Sequence, residues 1–313
     1  MIASLTPTPV VADTPLSIIR PPLGVVVFSR YDPATKRFRL AERSASGEVG
    51  TFRIRSRKVA FDVDVGPDEH GREVAVYSRC AVEPALGSPG AAMTYYRTGS
   101  ACRLYELSLA TGHERRLKTT TERSGPDFLP SIWRGRLAWV HVERGALTLR
   151  LRDGGRVRRL PAGTASADRL GGELPAPGVI GLDLRDDRLS LVWSYYDLHD
   201  SCGADPPFGR TPVDEVWSYR FGLSRRRVAH AGCRGDAAAR IGWARRTPSG
   251  LSYSATIAKA ETLVGPTGRT PLTIPAGTNF VQSFARLDDG RTAVTWDGST
   301  SGLAVGRAQI TGA

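Results

Sequence analysis

Short runs in which apolar and polar residues alternate recur along the chain, and clusters of Gly, Pro, Asp and Ser separate them. Alternation with a period of two is the pattern of a strand with one buried face, and the breaks are typical of tight turns. The 3.6-residue periodicity of amphipathic helices is almost absent. The pattern therefore predicts an all-β fold.

A strand–turn–strand unit repeats along the chain and is clearest at 61–117, where two hairpins flank an insertion. In every repeat the second strand carries an aromatic residue near its end. These residues are Phe28, Tyr77, Trp139, Trp193, Tyr253 and Trp296. Six such units, most of them followed by a second hairpin, cover nearly the whole chain. They predict a six-bladed β-propeller of four-stranded antiparallel blades.

The two ends of the chain are expected to meet in the last blade. The final unit, 280–313, supplies three strands, so its outer edge needs a further strand. Residues 8–14 are positioned to supply it before residues 16–20 begin the first blade. We therefore expect residues 1–15 to be an N-terminal segment that closes the last blade, and residues 16–313 to form one propeller domain.

The charge balance is basic, with 43 Lys and Arg against 31 Asp and Glu, for a net charge of +12. Basic stripes at 51–58, 149–160 and 225–227 fall on predicted outer strands. They are either a polyanion-binding rim or solvated edges on which charge blocks edge-to-edge pairing. We favour solvated edges and expect no sequence-specific binding of nucleic acid, because no aromatic residues are interleaved for base stacking. The longest apolar run, at 23–28, is too short for a membrane span.

The four cysteines form two local pairs, Cys80 with Cys102 and Cys202 with Cys233. No Cys-x-x-Cys motif occurs, which excludes zinc-ribbon and thioredoxin-like sites. Each pair is predicted to lie on one face of the propeller, so the disulfides Cys80–Cys102 and Cys202–Cys233 are expected. The alternative is four separate buried thiols. Disulfides indicate an oxidising compartment, although no signal peptide is visible at the start of the sequence.

The stretch GPDEHGREVAVYSR at 66–79 resembles the blade motif of TolB-like, WD-repeat-like propellers. The matching positions are Pro67, Asp68, Gly71, Arg72, Ala75, Tyr77 and Ser78, with Gly66 in place of Ser and Glu69 and His70 inserted. The stretch at 104–117 is similar to the second hairpin of that motif, and 287–296 is a further partial match. The resemblance implies a propeller that acts as a periplasmic or secreted binding protein.

Motifs for nucleophilic catalysis, nucleotide binding and metal binding are missing from the sequence. The five histidines are scattered, and we expect no cofactor and no metal. Asp62, Asp64 and Asp183 stand on predicted innermost strands, near a central channel. They either bind a cation or act as a base there, or they hydrogen-bond to backbone and water, which is the interpretation we favour.

Two long insertions, 81–101 and 197–215, join the second and third strands of two blades and therefore lie on the same face. Aromatic and charged side chains in and beside them form the predicted ligand-binding rim. These side chains belong to Tyr95, Tyr96, Arg97, Tyr196, His199, Phe208 and Arg210.

The function predicted from the sequence is that of a secreted or envelope-associated, monomeric and non-enzymatic module. It would bind an unidentified protein or glycan through the loop-bearing face. The alternative is a propeller hydrolase or lyase that uses the channel carboxylates with His199. A third possibility is an extracellular scaffold without a small ligand.

Overall fold

The computed structural model of the chain describes residues 6–8, 25–44, 46–58, 61–80, 102–119, 125–143, 146–160, 178–196, 212–221, 224–232, 238–247, 249–257, 260–272, 278–286, 292–298 and 302–306. These residues form 23 β-strands. Within those ranges no helix is long and apolar enough to cross a membrane.

The strands pair into antiparallel sheets, five of four strands and one of three. The three-stranded sheet, called the N-terminal sheet, contains β2 (Val26–Asp32), β3 (Arg37–Arg43) and β4 (Val49–Thr51). Blade 2 contains β5 (Asp64–Pro67), β6 (Glu73–Arg79), β7 (Arg103–Ser108) and β8 (Glu114–Arg116). Blade 3 contains β9 (Asp127–Trp133), β10 (Arg136–Glu143), β11 (Ala146–Asp153) and β12 (Arg156–Leu160).

The remaining three sheets follow in chain order. Blade 4 contains β13 (Gly178–Arg185), β14 (Arg188–Tyr196), β15 (Pro212–Arg220) and β16 (Ser224–Ala231). Blade 5 contains β17 (Ala238–Thr247), β18 (Gly250–Ile257), β19 (Ala260–Gly265) and β20 (Gly268–Pro271). Blade 6 contains β21 (Thr278–Arg286), β22 (Thr292–Gly298), β23 (Gly302–Gly306) and, as its outer strand, β1 (Thr6–Thr8).

The first strands of successive blades contact one another, from β5 to β9, β13, β17 and β21. Four-stranded antiparallel sheets whose first strands meet at the centre are the architecture of a β-propeller, so the predicted fold class is confirmed. The predicted number of four-stranded blades is wrong, because five sheets have four strands and the N-terminal sheet has three. Residues 16–20, which were expected to begin that first blade, lie outside the described residues.

The predicted position of the outer strand in blade 6 needs correction. The sequence placed it at residues 8–14, whereas Thr6–Thr8 forms the strand, with Thr6 opposite Val305 and Thr8 opposite Leu303 of β23. Residues 9–14 lie outside the described residues. An outer strand pairs through its backbone on one edge, so its side-chain pattern constrains its bounds weakly, and an edge position also tolerates Pro7.

Bulges shape the first strands of blades 3, 4, 5 and 6, in each of which the register with the second strand shifts in mid-strand. A bulge adds one residue to a strand, bends it and increases its twist. The bulge in blade 3 includes Leu129, which is buried and has a φ of 50°. The bulged strands are the ones that contact the neighbouring blades.

Gly181 of blade 4 packs directly against Trp243 of blade 5. A Cβ atom at Gly181 would lie 2.5–2.9 Å from three atoms of the Trp243 ring. Trp243 is fully buried in a core cluster that extends from Cys102 beside blade 2 to Phe284 of blade 6. Glycine is therefore required at position 181 by packing, as is typical of a glycine inside a strand.

Candidate functional site

Most of the predicted ligand-binding rim lies outside the described residues. This applies to Tyr95, Tyr96, Arg97, His199, Phe208 and Arg210. Tyr196 is the last residue of β14, where its backbone pairs with Pro212 of β15, and its side chain is not among the described ones.

The first long insertion lies where the sequence predicts, but the predicted end of the second at 215 is wrong, because β15 already begins at Pro212. One joins β6 to β7 and the other joins β14 to β15, and these are the second and third strands of their blades. In an up-and-down sheet, connections of this kind all emerge at the end of the strands opposite the first-to-second turns. The two insertions are therefore attached at the same face of the propeller, which we call the insertion face.

A disulfide between Cys80 and Cys102 closes the base of the 81–101 insertion, and this predicted pairing is confirmed. The bond lies one step beyond the last residue pair of β6 and β7, Arg79 with Arg103. It holds the two ends of the insertion on neighbouring strands, whatever conformation the insertion adopts.

A cluster of aromatic and charged side chains supports the disulfide on the outer side of blade 2. The Arg79 guanidinium lies 4.9 Å from the centre of the Tyr105 ring and 2.7 Å from a carboxylate oxygen of Glu114. The Tyr105 ring stacks on Tyr77, with the centroids 6.3 Å apart, and the Tyr77 hydroxyl donates to Glu114. Burial, together with the hydrogen bond to Glu114, raises the pKa of Tyr77 well above its ordinary value. The stacked rings and the ion pair brace the strand ends that carry the insertion.

Asp62, one of the three predicted channel carboxylates, is buried and joins two blades. Its Oδ1 accepts a hydrogen bond from the Ser78 backbone N–H at 2.6 Å, and its Oδ2 accepts from the Ser78 hydroxyl at 2.6 Å and from the Leu129 N–H of blade 3 at 2.8 Å. Burial raises the pKa of the Asp62 carboxyl, and the positive charge of Arg57 and these hydrogen bonds oppose that rise only in part.

Asp64 and Asp183 make the same kind of contact in other blades. Asp64 Oδ2 accepts from the Ser131 hydroxyl at 2.6 Å and from the Ile132 N–H at 2.9 Å, both in blade 3. Asp183 Oδ2 accepts from the Arg246 N–H of blade 5 at 2.9 Å, and Asp183 Oδ1 lies 3.4 Å from the Arg245 guanidinium. In the described residues, these carboxylates bind backbone of the following blade.

Two hydroxyl groups and one further carboxylate extend this series, and sequence reasoning did not identify them. The Ser131 hydroxyl accepts from Leu184 N–H of blade 4 at 2.8 Å, and the Ser29 hydroxyl accepts from Phe61 N–H at 3.0 Å. Asp214 Oδ2 accepts from Ile241 N–H of blade 5 at 2.9 Å. Ser131 could have been found from the sequence, because it occupies the same position in its repeat as Asp64 and Asp183 do in theirs.

A buried histidine–carboxylate pair in blade 3 was also missed. Asp127 Oδ1 lies 2.8 Å from both His141 Nδ1 and Trp139 Nε1, and the Thr119 hydroxyl donates to Asp127 Oδ2 at 2.6 Å. His141 and Asp127 are both fully buried, so this arrangement orients side chains inside the blade rather than facing a ligand. Within the described residues, no group of three or more His, Cys, Asp or Glu side chains is arranged to hold a metal ion.

The basic stripe at 51–58 is only partly exposed in the structure. Arg53 and Arg55 are exposed, but Arg57 is buried. The Arg57 guanidinium lies 5.0 Å from the centre of the Phe61 ring and donates a hydrogen bond to the Ser78 carbonyl. The expectation of a solvated stripe is therefore wrong at Arg57. A buried guanidinium needs partners, and the Ser78 carbonyl of blade 2 supplies one.

No family model matches the sequence, and no curated protein matches it either. Among solved structures, the fold is similar to an α-L-arabinofuranosidase from Fusarium graminearum, with a TM-score of 0.53, 9% identity, and coverage of 98% of this chain and 97% of that chain. It is also similar to an oligogalacturonate lyase from Vibrio parahaemolyticus (TM-score 0.48, 11% identity, 90% of this chain and 76% of that chain). A chain of a nidogen–laminin complex gives a TM-score of 0.48, 11% identity, and 87% and 84% coverage. At these identities the likeness concerns the propeller fold.

The replacement Asp62→Ala is expected to destabilise the protein, because it leaves the buried N–H groups of Ser78 and Leu129 without an acceptor. Unsatisfied buried donors cost about 1–3 kcal/mol each, so we expect a loss of roughly 3 kcal/mol in the free energy of unfolding, measured with urea. Glu48→Ala, which removes an exposed carboxylate, serves as the matched control and is expected to be near neutral. Equal stability of the two variants would show that Asp62 does not join the blades.

The stabilising effect of Asp62 is expected to depend on pH. Its pKa in the folded protein is raised above the ordinary value of 3.8, so the folded state holds its proton more tightly than the unfolded state. The advantage of the wild type over Asp62→Ala should therefore be largest below that ordinary value and shrink as the pH rises through the raised pKa.

The second disulfide, Cys202–Cys233, stays a prediction, because both cysteines lie outside the described residues. Peptide mapping without reduction should recover one peptide pair linked through Cys80 and Cys102 and another linked through Cys202 and Cys233. A peptide that links Cys80 to Cys202, or free thiols at 202 and 233, would contradict the second pairing.

Proposed function

We propose that the protein is a binding module that holds a protein or a glycan, without catalysis, on the insertion face of the propeller. The observation that carries the proposal is the Cys80–Cys102 disulfide at the base of the 81–101 insertion. A covalent link there fixes the two strand ends to each other, whatever the length of the insertion between them. Long loops fixed at both ends on rigid strands are where propellers and other β scaffolds place their ligand contacts.

The composition of the insertions supports the same proposal. Tyr95, Tyr96 and Arg97 lie in the first insertion, and Phe208 and Arg210 lie in the second. Tyrosine and arginine are the side chains most enriched at binding surfaces, because each offers a large flat contact area together with hydrogen-bond donors. Attachment of both insertions at one face makes a joint rim the natural arrangement.

We further propose that the protein is secreted or resides in the cell envelope. A disulfide that closes a long loop persists in an oxidising compartment and is rare in the cytosol. The Cys80–Cys102 bond supports this location, and the four cysteines of the chain form an even number.

We also propose that the N-terminal sheet is blade 1 of a ring of six blades, and that β1 closes this ring. Phe28 and Ser29 on β2 repeat the aromatic–serine step of Tyr77 and Ser78 on β6, the second strand of blade 2. By this correspondence the first strand of the N-terminal sheet would fall near residues 16–20. Deletion of residues 1–14 should then lower the Tm, because blade 6 loses its outer strand, and an unchanged Tm would contradict closure.

The alternative function is that of a hydrolase or lyase that uses Asp62, Asp64 and Asp183 with His199. It requires at least one of these carboxylates to reach a substrate. All three are buried and accept hydrogen bonds from backbone N–H groups, which supports a structural role instead.

The proposal is tested by measuring binding of the full chain to arrays of glycans and of purified envelope proteins. The variant Tyr95→Ala/Tyr96→Ala/Arg97→Ala should lose at least about tenfold in affinity for any ligand the wild type retains. The matched control Arg156→Gln/Arg159→Gln, on the exposed outer strand β12, should bind like the wild type.

The same samples separate binding from catalysis. Retained ligands should be recovered intact after long incubation with the protein. Cleavage of a glycan that disappears in Asp183→Asn, while the fold is kept, would favour the hydrolase or lyase. Loss of binding in the outer-strand control but not in the insertion variant would place the binding surface away from the insertion face.

A further inference from the structure

A tryptophan and three arginines stand at or beside the ends of neighbouring first strands, at the end of the propeller opposite the insertions. Trp133 ends β9, Arg134 follows it in the turn, Arg185 ends β13, and Arg246 is the second-to-last residue of β17. These four residues, called the Trp133 cluster, thus come from the first strands of three consecutive blades. The Arg246 backbone N–H donates to Asp183, two residues before Arg185, which places the end of β17 beside the end of β13.

Two of the arginines lie against the tryptophan ring. The Arg185 guanidinium is 4.9 Å from the centre of the Trp133 ring, and the Arg134 guanidinium is 5.9 Å from it. An aromatic face holds a guanidinium in place without using its N–H groups, which stay directed outward from its edge. Neither Arg134 nor Arg185 has an ion pair among the residues that the structure describes.

Arg246 occupies a position that the two preceding blades give to buried aliphatic residues. Its backbone N–H bonds to Asp183 just as Ile132 N–H bonds to Asp64 and Leu184 N–H bonds to Ser131. Ile132 is 1% exposed and Leu184 is fully buried, so this repeat position belongs to the core. Blade 5 therefore carries a charge where packing alone favours leucine or isoleucine.

The charge of Arg246 is poorly compensated. Its Nε is buried without a hydrogen-bond partner. Burial lowers the pKa of Arg246 and the positive charge of Arg188 lowers it further, while the carboxylates of Asp183, Asp187 and Asp186 oppose that fall only in part. Two of the three nearby carboxylates also pair with other arginines, since Asp183 lies 3.4 Å from Arg245 and Asp187 lies 3.1 Å from Arg220.

Other arginines at the same end of the propeller are paired, which sets the Trp133 cluster apart. Arg72 lies 2.7 Å from Asp68, and Arg136 lies 2.9 Å from Asp153. Those arginines are satisfied by the protein itself. Guanidinium groups without carboxylate partners, held against an aromatic ring, are instead suited to an external oxyanion.

We propose that the Trp133 cluster is a second binding site, on the face opposite the insertions, for a multivalent oxyanion bearing carboxylate or phosphate groups. Arg185 and Arg134 present preoriented N–H edges to the ligand. Arg246 adds a positive charge that an anionic group of the ligand would neutralise. Three arginines on three blades fit a ligand with more than one anionic group, because a single small oxyanion engages one or two guanidinium groups at a time.

The test uses calorimetry on the full chain with two probes, citrate for carboxylates and pyrophosphate for phosphates, at constant ionic strength. The wild type should bind at least one probe at millimolar concentrations, and the stronger probe identifies the ligand chemistry. The variant Arg185→Gln/Arg246→Gln should lose about tenfold or more in affinity. The control Arg156→Gln/Arg159→Gln removes the same charge from the exposed strand β12 and should bind within about twofold of the wild type.

A stability measurement separates ligand binding from a structural role. In the absence of probe, Arg246→Leu should keep or raise the Tm, since Ile132 and Leu184 fill the equivalent positions, while probe affinity falls. This is the trade-off expected where a residue serves binding at the expense of stability. A lower Tm with unchanged affinity would overturn the proposal. So would a wild type that binds neither probe, or equal losses in the control variant.

Discussion

Hydrogen bonds that cross from one blade to the next through buried side-chain oxygens are the constraint on which this propeller depends. The first strand of each blade is the inner edge of its sheet, so its outward N–H groups have no neighbouring strand to receive them. Asp64, Ser131 and Asp183 supply the missing acceptors from the preceding blade. Within the described residues, blades 2, 3 and 4 thereby each complete the hydrogen bonding of the blade that follows.

The same constraint explains why charge is tolerated at the centre of the fold. A buried carboxylate is costly unless hydrogen bonds and a nearby cation compensate it. Asp62 has three donors and the Arg57 charge, and Asp183 has Arg245. Arg57 shows the reverse case, a buried cation that holds the N-terminal sheet to the Ser78 carbonyl of blade 2. Polar residues in these strands thus indicate contacts between blades before they indicate chemistry.

How much of this was predictable depends on the distance over which a contact acts. The strands, the tight turns, the places of the insertions and the Cys80–Cys102 bond follow from local alternation and from residues near in sequence. The contacts between blades do not, because Asp62 and Leu129 are 67 positions apart and no periodicity relates them. Gly181 is a further example, since it is Trp243 of the next blade that leaves no room for a side chain at position 181.

The two candidate sites differ in the same way, since the sequence predicted one and the structure revealed the other. The sequence placed functional side chains in the insertions, because length and composition mark them there. Alternation and composition did not single out Trp133, Arg185 or Arg246, since their significance rests on the contact of Arg185 with the Trp133 ring and on the buried, unbonded Nε of Arg246 among the described residues. Only the comparison of equivalent repeat positions, in which Arg246 stands where Ile132 and Leu184 stand elsewhere, carried a sequence signal.

The disulfide at the base of the first insertion has an evolutionary consequence. Cys80 and Cys102 fix two points on adjacent strands, so the 21 residues 81–101 between them form a cassette whose ends are independent of its content. Substitutions, deletions and insertions inside the cassette leave the strand register of blade 2 untouched. Descendants of this chain are therefore free to diversify what the cassette contacts while they inherit an unaltered scaffold.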